Sequence, residues 1–337
     1  MTTVHDWAIP PIEPPAAPVS PPPVRSAHSI FHEPWWLDIA TEGNWSLAVV
    51  KHNGAIVGEM PYAISRTHLW RISHLPPLTR TLGPVINPVT GSASRQMHHR
   101  IDITAQLIDQ LPECDSFFQV LDPRVDNAIA FALRGFTVSA RYTFRIAPHC
   151  TVDEAWARLD SKTRNVIRSA ERELTIAPEL SPAEFLAFYD ANLAARSRSN
   201  AYGAAVMREL VGAFVERKAG MLLGVYGPGG GPGARLVAAI GLVWDHQAVY
   251  YLLSSRVQDA HCGSISLLLW TGIRRALERR LIFDFDGFSS PSAFNFLSGF
   301  GATLTQRLGV ERLGTVYLLT RTLKRRLVPG KVFAPNL

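Results

Sequence analysis

Cysteine is scarce in this sequence and forms no recognisable motif. The 337 residues include three cysteines, Cys114, Cys150 and Cys262, which are far apart and show no CxxC spacing. Such dispersed cysteines argue against a disulfide framework and against a cysteine zinc site. The adjacent histidines His98 and His99 also lack the spacing of metal ligands on a helix. We therefore expect no bound metal and a reducing compartment, which favours the cytoplasm.

Long apolar runs and an acidic surplus are also missing. The first residues lack the basic start and apolar run of a secretory signal peptide, and no segment approaches the ~20 apolar residues that a membrane-spanning helix needs. Acidic residues number 28 against 34 Lys and Arg, which gives a formal charge of +6. This charge favours anionic partners such as nucleotides, nucleic acid or acidic lipid, but it is equally compatible with an arginine-rich protein that binds none of them.

Proline is concentrated near the N-terminus, where it prevents helix and sheet and predicts an extended tail over residues 1–25. The remainder suits two globular units, because 47% of all residues are hydrophobic and only 18% are charged. We expect an N-terminal half over residues 26–147 and a C-terminal half over residues 148–325. A short basic tail would follow over residues 326–337.

Local patterns in both halves predict a mixed α/β sheet. Two strand-like runs flank Asn53-Gly54, which is the sequence of a tight hairpin turn. Thr151 and Glu154 have the spacing of a capping box, and an amphipathic helical stripe follows from residue 156 to residue 170. Further strands are predicted at residues 221–226, 236–244, 248–255 and 281–286, with a last one at residues 316–319. Similar strand, helix and turn patterns recur in each half, which indicates a duplicated fold.

Several segments, taken in order and spacing, resemble the FemAB-related, BioF2-like branch of the GNAT acyltransferases. They are residues 76–79, 82–84, 161–170, 264–280, 283–287 and 296–302. The resemblance implies an α/β (α+β) fold of tandem GNAT-like domains, each with a mixed, largely antiparallel sheet flanked by helices. It also implies an acyl-CoA cosubstrate, with acetyl-CoA expected. Many relatives, including the aminoacyl-tRNA-dependent peptidoglycan enzymes, carry Lys where Leu297 stands here, which favours acyl-CoA over tRNA.

The resemblance places the donor pyrophosphate at residues 258–266, before the helix that starts near Ser264. Backbone N–H groups and the positive end of the helix dipole would stabilise the phosphate charge. Gly263 would permit a close backbone approach, Ser264 could cap the helix, and Arg256 could supply a countercharge. We include His261 in this predicted cofactor-binding group. The alternative is an ordinary helix start with no ligand.

Asp284 and Asp286 are the candidate catalytic residues. They lie two apart on a predicted strand, so both carboxylates should face one side while Phe283 and Phe285 face the other. Two neighbouring carboxylates in an apolar place raise the pKa of one of them, which would suit a general base. Asp286 is favoured because it lies nearest the strand end. The alternative is that the pair caps a turn or binds an arginine of the second half.

An arginine stripe could bind an anionic acceptor. Arg164 and Arg168 recur at helical spacing beside Asn165, and arginine can bind a phosphate through two hydrogen bonds. Tyr202 completes the predicted substrate-binding group. A solvated helix face is the alternative.

A basic cluster near the C-terminus could bind acidic lipid headgroups or act only as a solubilising tail. Its members are Arg321, Lys324, Arg325, Arg326 and Lys331.

The expected protein is a cytoplasmic acyltransferase, peripheral to the inner membrane surface. It would act on an amine or hydroxyl of a sugar, a lipid-linked glycan or other cell-envelope precursor, or a small metabolite. An aminoacyl-tRNA-dependent peptidoglycan transferase and a non-catalytic acyl-CoA or glycan binding module remain open. The first half, with a degenerate donor site, is expected to bind the acceptor.

Overall fold

The computed structural model of the protein describes residues 29–67, 69–177, 179–227 and 234–327. The predicted proline-rich tail and residues 328–337 lie outside these ranges. The first half contains α1 (Pro34–Ala40), β1 (Trp45–His52), β2 (Ala55–Ala63), β3 (Ser65–Thr67), β4 (Trp70–Ser73), β5 (Val85–Ile86), α2 (Ala93–Ile108), β6 (Ser116–Val120), α3 (Ile129–Leu133) and β7 (Thr137–Ile146).

The second half is richer in helix. It contains α4 (Val152–Arg158), α5 (Ser161–Glu173), β8 (Thr175–Ala177), α6 (Pro182–Ala194), α7 (Ala204–Glu216), β9 (Gly220–Tyr226), β10 (Leu236–Trp244), β11 (Ala248–Arg256), α8 (Ser264–Glu278), β12 (Ile282–Asp284), α9 (Pro291–Ser298), β13 (Thr303–Leu313) and α10 (Thr315–Leu327). None of the helices in the described ranges is long and apolar enough to cross a bilayer.

Turn and cap chemistry explains several boundaries. Asn53 and Gly54 both have positive φ, 51° and 81°, as the tight turn between β1 and β2 requires. Thr151 and Glu154 form the predicted capping box at the start of α4. Asp160 caps α5, so the predicted continuous stripe over residues 156–170 is wrong: an N-cap breaks it into two helices.

The two halves exchange strands in one ten-stranded sheet of order β3-β4-β6-β13-β7-β12-β11-β10-β9-β8. Strand β13 of the second half lies between β6 and β7 of the first, and β7 in turn pairs with β12. Most pairs are antiparallel, but β4/β6 and β11/β12 are parallel, joined through segments containing α2 and α8. This mixed sheet confirms the predicted fold class, and the repeated parallel pair agrees with the predicted duplication.

The sheet places a core on each of its faces in the second half. Helices α5 and α8 pack on one face around Ile167, Leu268 and Phe283, while α1, α6 and α7 pack on the other around Trp36, Phe185 and Phe214. Burial of these large apolar side chains is the main stabilising contribution.

The end of the chain differs from the sequence prediction. Residues 316–319 do not form a strand, because they lie within helix α10. The last strand is β13, which precedes this helix and was not predicted. Strand β13 contains Thr, Gln, Arg and Glu among its Leu and Val residues, so its sequence does not show the regular apolar alternation that would predict a strand.

Candidate active site

Strands β11 and β12 separate after a short parallel contact. They pair only from Ala248 with Ile282 to Tyr250 with Asp284, where β12 ends. Strand β11 continues to Arg256 with β10 on its other side. No strand of the described ranges pairs with the free edge at residues 251–256. Backbone groups along such an edge can bind an extended ligand.

A β-bulge lies on this free edge. The register passes from Gly241 with Leu253 to Leu242 with Tyr251, which leaves Leu252 without a partner in β10. The Leu252 carbonyl instead accepts a hydrogen bond of 2.9 Å from Nη2 of Arg80. The bulge therefore turns a peptide unit of β11 away from the ladder and towards the gap.

A buried charge cluster lies where the three strands β7, β12 and β13 meet. The Asp284 carboxylate accepts hydrogen bonds from Thr143 Oγ1 at 2.6 Å and from Arg145 Nε at 2.8 Å. Arg307 Nη2 lies 2.9 Å from both oxygens of Asp284. The Asp286 backbone N–H donates a hydrogen bond of 2.8 Å to Oδ1 of Asp284. The Asp284 side chain is fully buried. Each oxygen of the Asp284 carboxylate therefore has at least two hydrogen-bond donors, as a buried carboxylate requires.

Asp286 connects this cluster to the gap. It follows the strand with a φ of +63°, a conformation that Asp tolerates better than most residues. Its Oδ1 lies 3.3 Å from Arg307 Nη1, and its Oδ2 lies 2.7 Å from Arg80 Nε, in an ion pair that is not aligned as a hydrogen bond. Arg80 Nη2 also donates to the Tyr202 hydroxyl at 3.4 Å and to Leu252. Arg80, from the first half, therefore joins the catalytic candidate to the bulge.

The two carboxylates have opposite pKa shifts. Burial raises the pKa of Asp286 to about 6, and this effect exceeds the opposing attraction of Arg80 and Arg307; the charge of Asp284 adds to the rise. Burial alone would also raise the pKa of Asp284, but Arg307, Arg145 and the Thr143 hydrogen bond together outweigh it and lower that pKa below its usual value. The pKa of one carboxyl is thus raised as expected, and burial contributes more to the rise than the neighbouring carboxylate does.

The alternating pattern around this pair is also as expected. Phe283 and Phe285 pack in the core beneath α8, while both carboxylates contact Arg307. Pairing with an arginine of the second half, the alternative considered above, is therefore observed. It does not exclude a catalytic role, because the pKa of Asp286 stays close to neutrality.

Three arginines of this site were not predicted. Arg80 lies between two segments that carry the family resemblance, which is a signal that could have identified it. Arg145 lies between Phe144 and Ile146, and an arginine inside an apolar strand implies a buried countercharge. Arg307 lies on β13, which itself was not predicted.

Helix α5 packs directly against Gly263 of the predicted donor segment. Gly263 is buried, and a Cβ atom there would collide with the backbone carbonyl of Val166 and lie 3.0 Å from Cβ of Ala170. The Gly263 N–H donates to His261 Nδ1 at 3.0 Å. The glycine is therefore required by helix packing, whether or not a phosphate binds nearby.

The other predicted cofactor-binding residues lie near the start of α8 or, in the case of Arg256, at the end of β11. Ser264 is fully buried, and its hydroxyl has no hydrogen-bond partner within the described residues. His261 Nε2 lies 3.3 Å from the Ser169 hydroxyl of α5. The backbone carbonyl of Arg256 accepts a 2.6 Å hydrogen bond from Arg196. Cofactor binding by these residues stays a prediction.

The arginine stripe of α5 holds α4 in place. Arg164 donates to the carbonyls of Ala157 and Leu159 at the end of α4, and the Arg168 guanidinium lies 5.5 Å from the ring centroid of Trp156. Asn165 is exposed. Of the predicted substrate-binding residues, Tyr202 is the one that the structure brings to the charge cluster. The acceptor-binding role of the stripe stays a prediction.

Comparisons with known proteins agree with this architecture. Residues 161–289 match the family described as "Acetyltransferase (GNAT) domain", a range that includes the bulge, α8 and both carboxylates. A comparison with curated protein sequences gives no match.

Solved structures share the fold over most of the chain. FemX aligns with a TM-score of 0.64 at 12% identity, over 86% of this chain and 93% of FemX. The C-terminal domain of a putative lysylphosphatidylglycerol synthetase from Agrobacterium fabrum aligns with a TM-score of 0.53 at 12% identity, over 92% of this chain and 96% of that domain. L-PGS from Bacillus licheniformis aligns with a TM-score of 0.51 at 13% identity, over 87% of this chain and 91% of the L-PGS chain. The predicted resemblance to GNAT acyltransferases is therefore confirmed: residues 161–289 match a GNAT acetyltransferase domain, and the chain shares its fold with FemX.

Proposed function

We propose that the protein transfers an acyl group from acyl-CoA to an amine or hydroxyl of a sugar, cell-envelope precursor or small metabolite. The observation that carries this proposal is the gap between β11 and β12, which has a bulged peptide on one side and a buried carboxylate of raised pKa on the other. The free edge of β11, which is suited to bind an extended chain, thus lies next to the Asp286 carboxylate, which is suited to accept a proton.

The free edge of β11 suits the donor. The amide-containing arm of acyl-CoA can pair with residues 251–256 in the manner of an added strand. A backbone N–H of this edge would then donate to the thioester carbonyl and stabilise the negative charge that develops on its oxygen. Holding donor and acceptor in one gap supplies a further part of the rate acceleration.

Asp286 is proposed as the general base. Its carboxylate takes the proton from the acceptor N–H or O–H, the acceptor atom bonds to the acyl carbon, and the carbon–sulfur bond breaks to release CoA, whose sulfur takes up a proton. The side chain is only 2% exposed, and Arg80 covers Oδ2. The acceptor must therefore displace Arg80, whose guanidinium also contacts the Tyr202 hydroxyl.

The Asp286→Asn variant tests the base assignment. We expect CoA release with acetyl-CoA and a panel of amino and hydroxy acceptors to fall by about 10²-fold or more, while calorimetry shows unchanged acetyl-CoA binding. In the wild type, kcat/KM should rise with pH through about 6, since the base acts unprotonated. The exposed, ion-paired Asp109 provides a matched control, because Asp109→Asn should leave turnover unchanged. Full turnover by Asp286→Asn would show that another group is the base.

A second candidate is transfer from an aminoacyl-tRNA, which is favoured by one relative being named as a putative lysylphosphatidylglycerol synthetase. This function predicts tight tRNA binding whose log affinity falls steeply with log salt concentration, and no acetyl-CoA binding. A non-catalytic binding module predicts donor or glycan binding without CoA release. Calorimetry with acetyl-CoA and with tRNA, combined with the release assay, separates the three.

A further inference from the structure

Helix α10 presents an uncovered apolar stripe to solvent. Val316, Leu319 and Leu323 are 66%, 59% and 58% exposed. Their spacing of three and four residues places them on one face of the helix. Three large aliphatic side chains in a continuous row are unusual on a protein surface, where exposed apolar residues are normally scattered.

The opposite side of α10 is the one that attaches the helix to the protein. Tyr317 packs edge-to-face on Trp70 with ring centroids 5.2 Å apart, and Arg321 forms a 3.1 Å ion pair with Glu311. These contacts hold the helix with its apolar stripe turned away from the body. Leu69, the chain neighbour of Trp70, is also exposed, to 91%.

The charge of the helix indicates what covers the stripe. Residues 315–327 contain four basic residues and no acidic residue. At about 100° per residue, position 326 lies next to the stripe, whereas positions 324 and 325 lie further round the helix. An apolar face on a helix whose charged residues are all basic is typical of helices that lie in the interface of an anionic membrane, with apolar side chains in the acyl boundary and cations among the headgroups.

We propose that α10 binds the surface of an anionic lipid bilayer and lies parallel to it. The inference is independent of the acyl-transfer proposal, because it rests on the apolar stripe and the basic composition of α10 alone. Binding combines burial of the three aliphatic side chains with attraction of the basic residues to the lipid headgroups, so it should weaken as salt screens the charges.

Vesicle flotation with the full chain tests the role of the stripe. The wild type should float with vesicles of phosphatidylcholine and phosphatidylglycerol, and much less with phosphatidylcholine alone. Val316→Ser/Leu319→Ser/Leu323→Ser should lower partitioning onto the anionic vesicles by about tenfold or more, since the apolar area no longer enters the bilayer. Ile129→Ser/Leu133→Ser removes comparably exposed side chains from α3 and should not change it.

A second variant tests the charge contribution. Lys324→Gln/Arg325→Gln/Arg326→Gln should abolish the preference for anionic over neutral vesicles while circular dichroism stays unchanged. The proposal is overturned if the wild type binds neither vesicle, or if the stripe variant binds as the wild type does. It is equally overturned if the stripe variant loses self-association in sedimentation, without loss of lipid binding, because the stripe would then be a protein interface.

Discussion

Removal of the Arg307 guanidinium provides a quantitative test of the buried charge cluster. The side chain is 5% exposed and contacts both Asp284 oxygens at 2.9 Å and Asp286 Oδ1 at 3.3 Å. Arg307→Met keeps much of the volume and deletes the charge. It leaves two buried carboxylates with fewer cations, while Asp284 keeps Arg145 and Thr143.

We expect this variant to lose about 3 kcal/mol of unfolding free energy at neutral pH. Deleting one partner of a buried ion pair costs about 3–5 kcal/mol, and the partners that Asp284 retains favour the lower end. Urea unfolding followed by tryptophan fluorescence measures the loss. Arg307→Lys, which keeps the charge but not the paired hydrogen bonds, should lose less.

The pH dependence gives the sign of the effect. The pKa of Asp284 is lowered in the folded protein, so this carboxylate contributes stability above its unfolded pKa, and that contribution is lost as pH falls through the folded value. Arg307→Met removes a cause of the lowering. The difference between variant and wild type should therefore shrink as pH decreases below about 4. A loss under about 1 kcal/mol, or one that does not vary with pH, would refute the argument.

Three further predictions follow from individual contacts. Asp286→Asn should gain stability relative to the wild type as pH rises from about 4 to 7, because the folded carboxyl has a pKa of about 6 and its charged form is disfavoured by burial. Asp284→Asn should be less stable than the wild type by a nearly constant amount over the same range, because the lowered pKa of Asp284 confines the pH-dependent change to pH values below about 4; urea midpoints compare the two. Thr79→Val should cost about 1–3 kcal/mol by leaving the buried Trp36 Nε1 without its 3.0 Å acceptor, whereas Thr79→Ser should not. Gly263→Ala should lower the melting temperature through a loss of about 1–3 kcal/mol, because its Cβ would collide with the α5 backbone; an unchanged melting temperature would contradict this packing.

Features determined by neighbours in sequence were predicted well. The hairpin at Asn53-Gly54 follows from two positions that favour positive φ. The cap at Thr151 follows from side-chain hydrogen bonds within one turn. Strand β10 begins and ends where its apolar run begins and ends, because a strand buried on both faces needs no alternation. Each of these signals is complete within about ten residues.

Features that depend on distant segments were not predicted. Residues 316–319 are apolar because of an exposed helix face, and no local pattern distinguishes that from a buried strand. Arg307 meets Asp286 because β13 lies beside β7, and Arg80 reaches the same carboxylate from a loop of the first half. A glycine at the start of a helix allows a phosphate or a second helix to approach closely, and the sequence does not distinguish the two cases; at Gly263 the neighbour is α5.

The position of β13 between β6 and β7 sets an order for assembly during synthesis. Residues 303–313 leave the ribosome after all the other strands of the described sheet, so β6 and β7 have unpaired edges while the second half is still being made. Exposed edges can pair with other chains, which makes a nascent intermediate dependent on rapid completion or on chaperones. A polypeptide that stops before β13 would lack the strand that lies between β6 and β7, and neither half would be expected to fold alone.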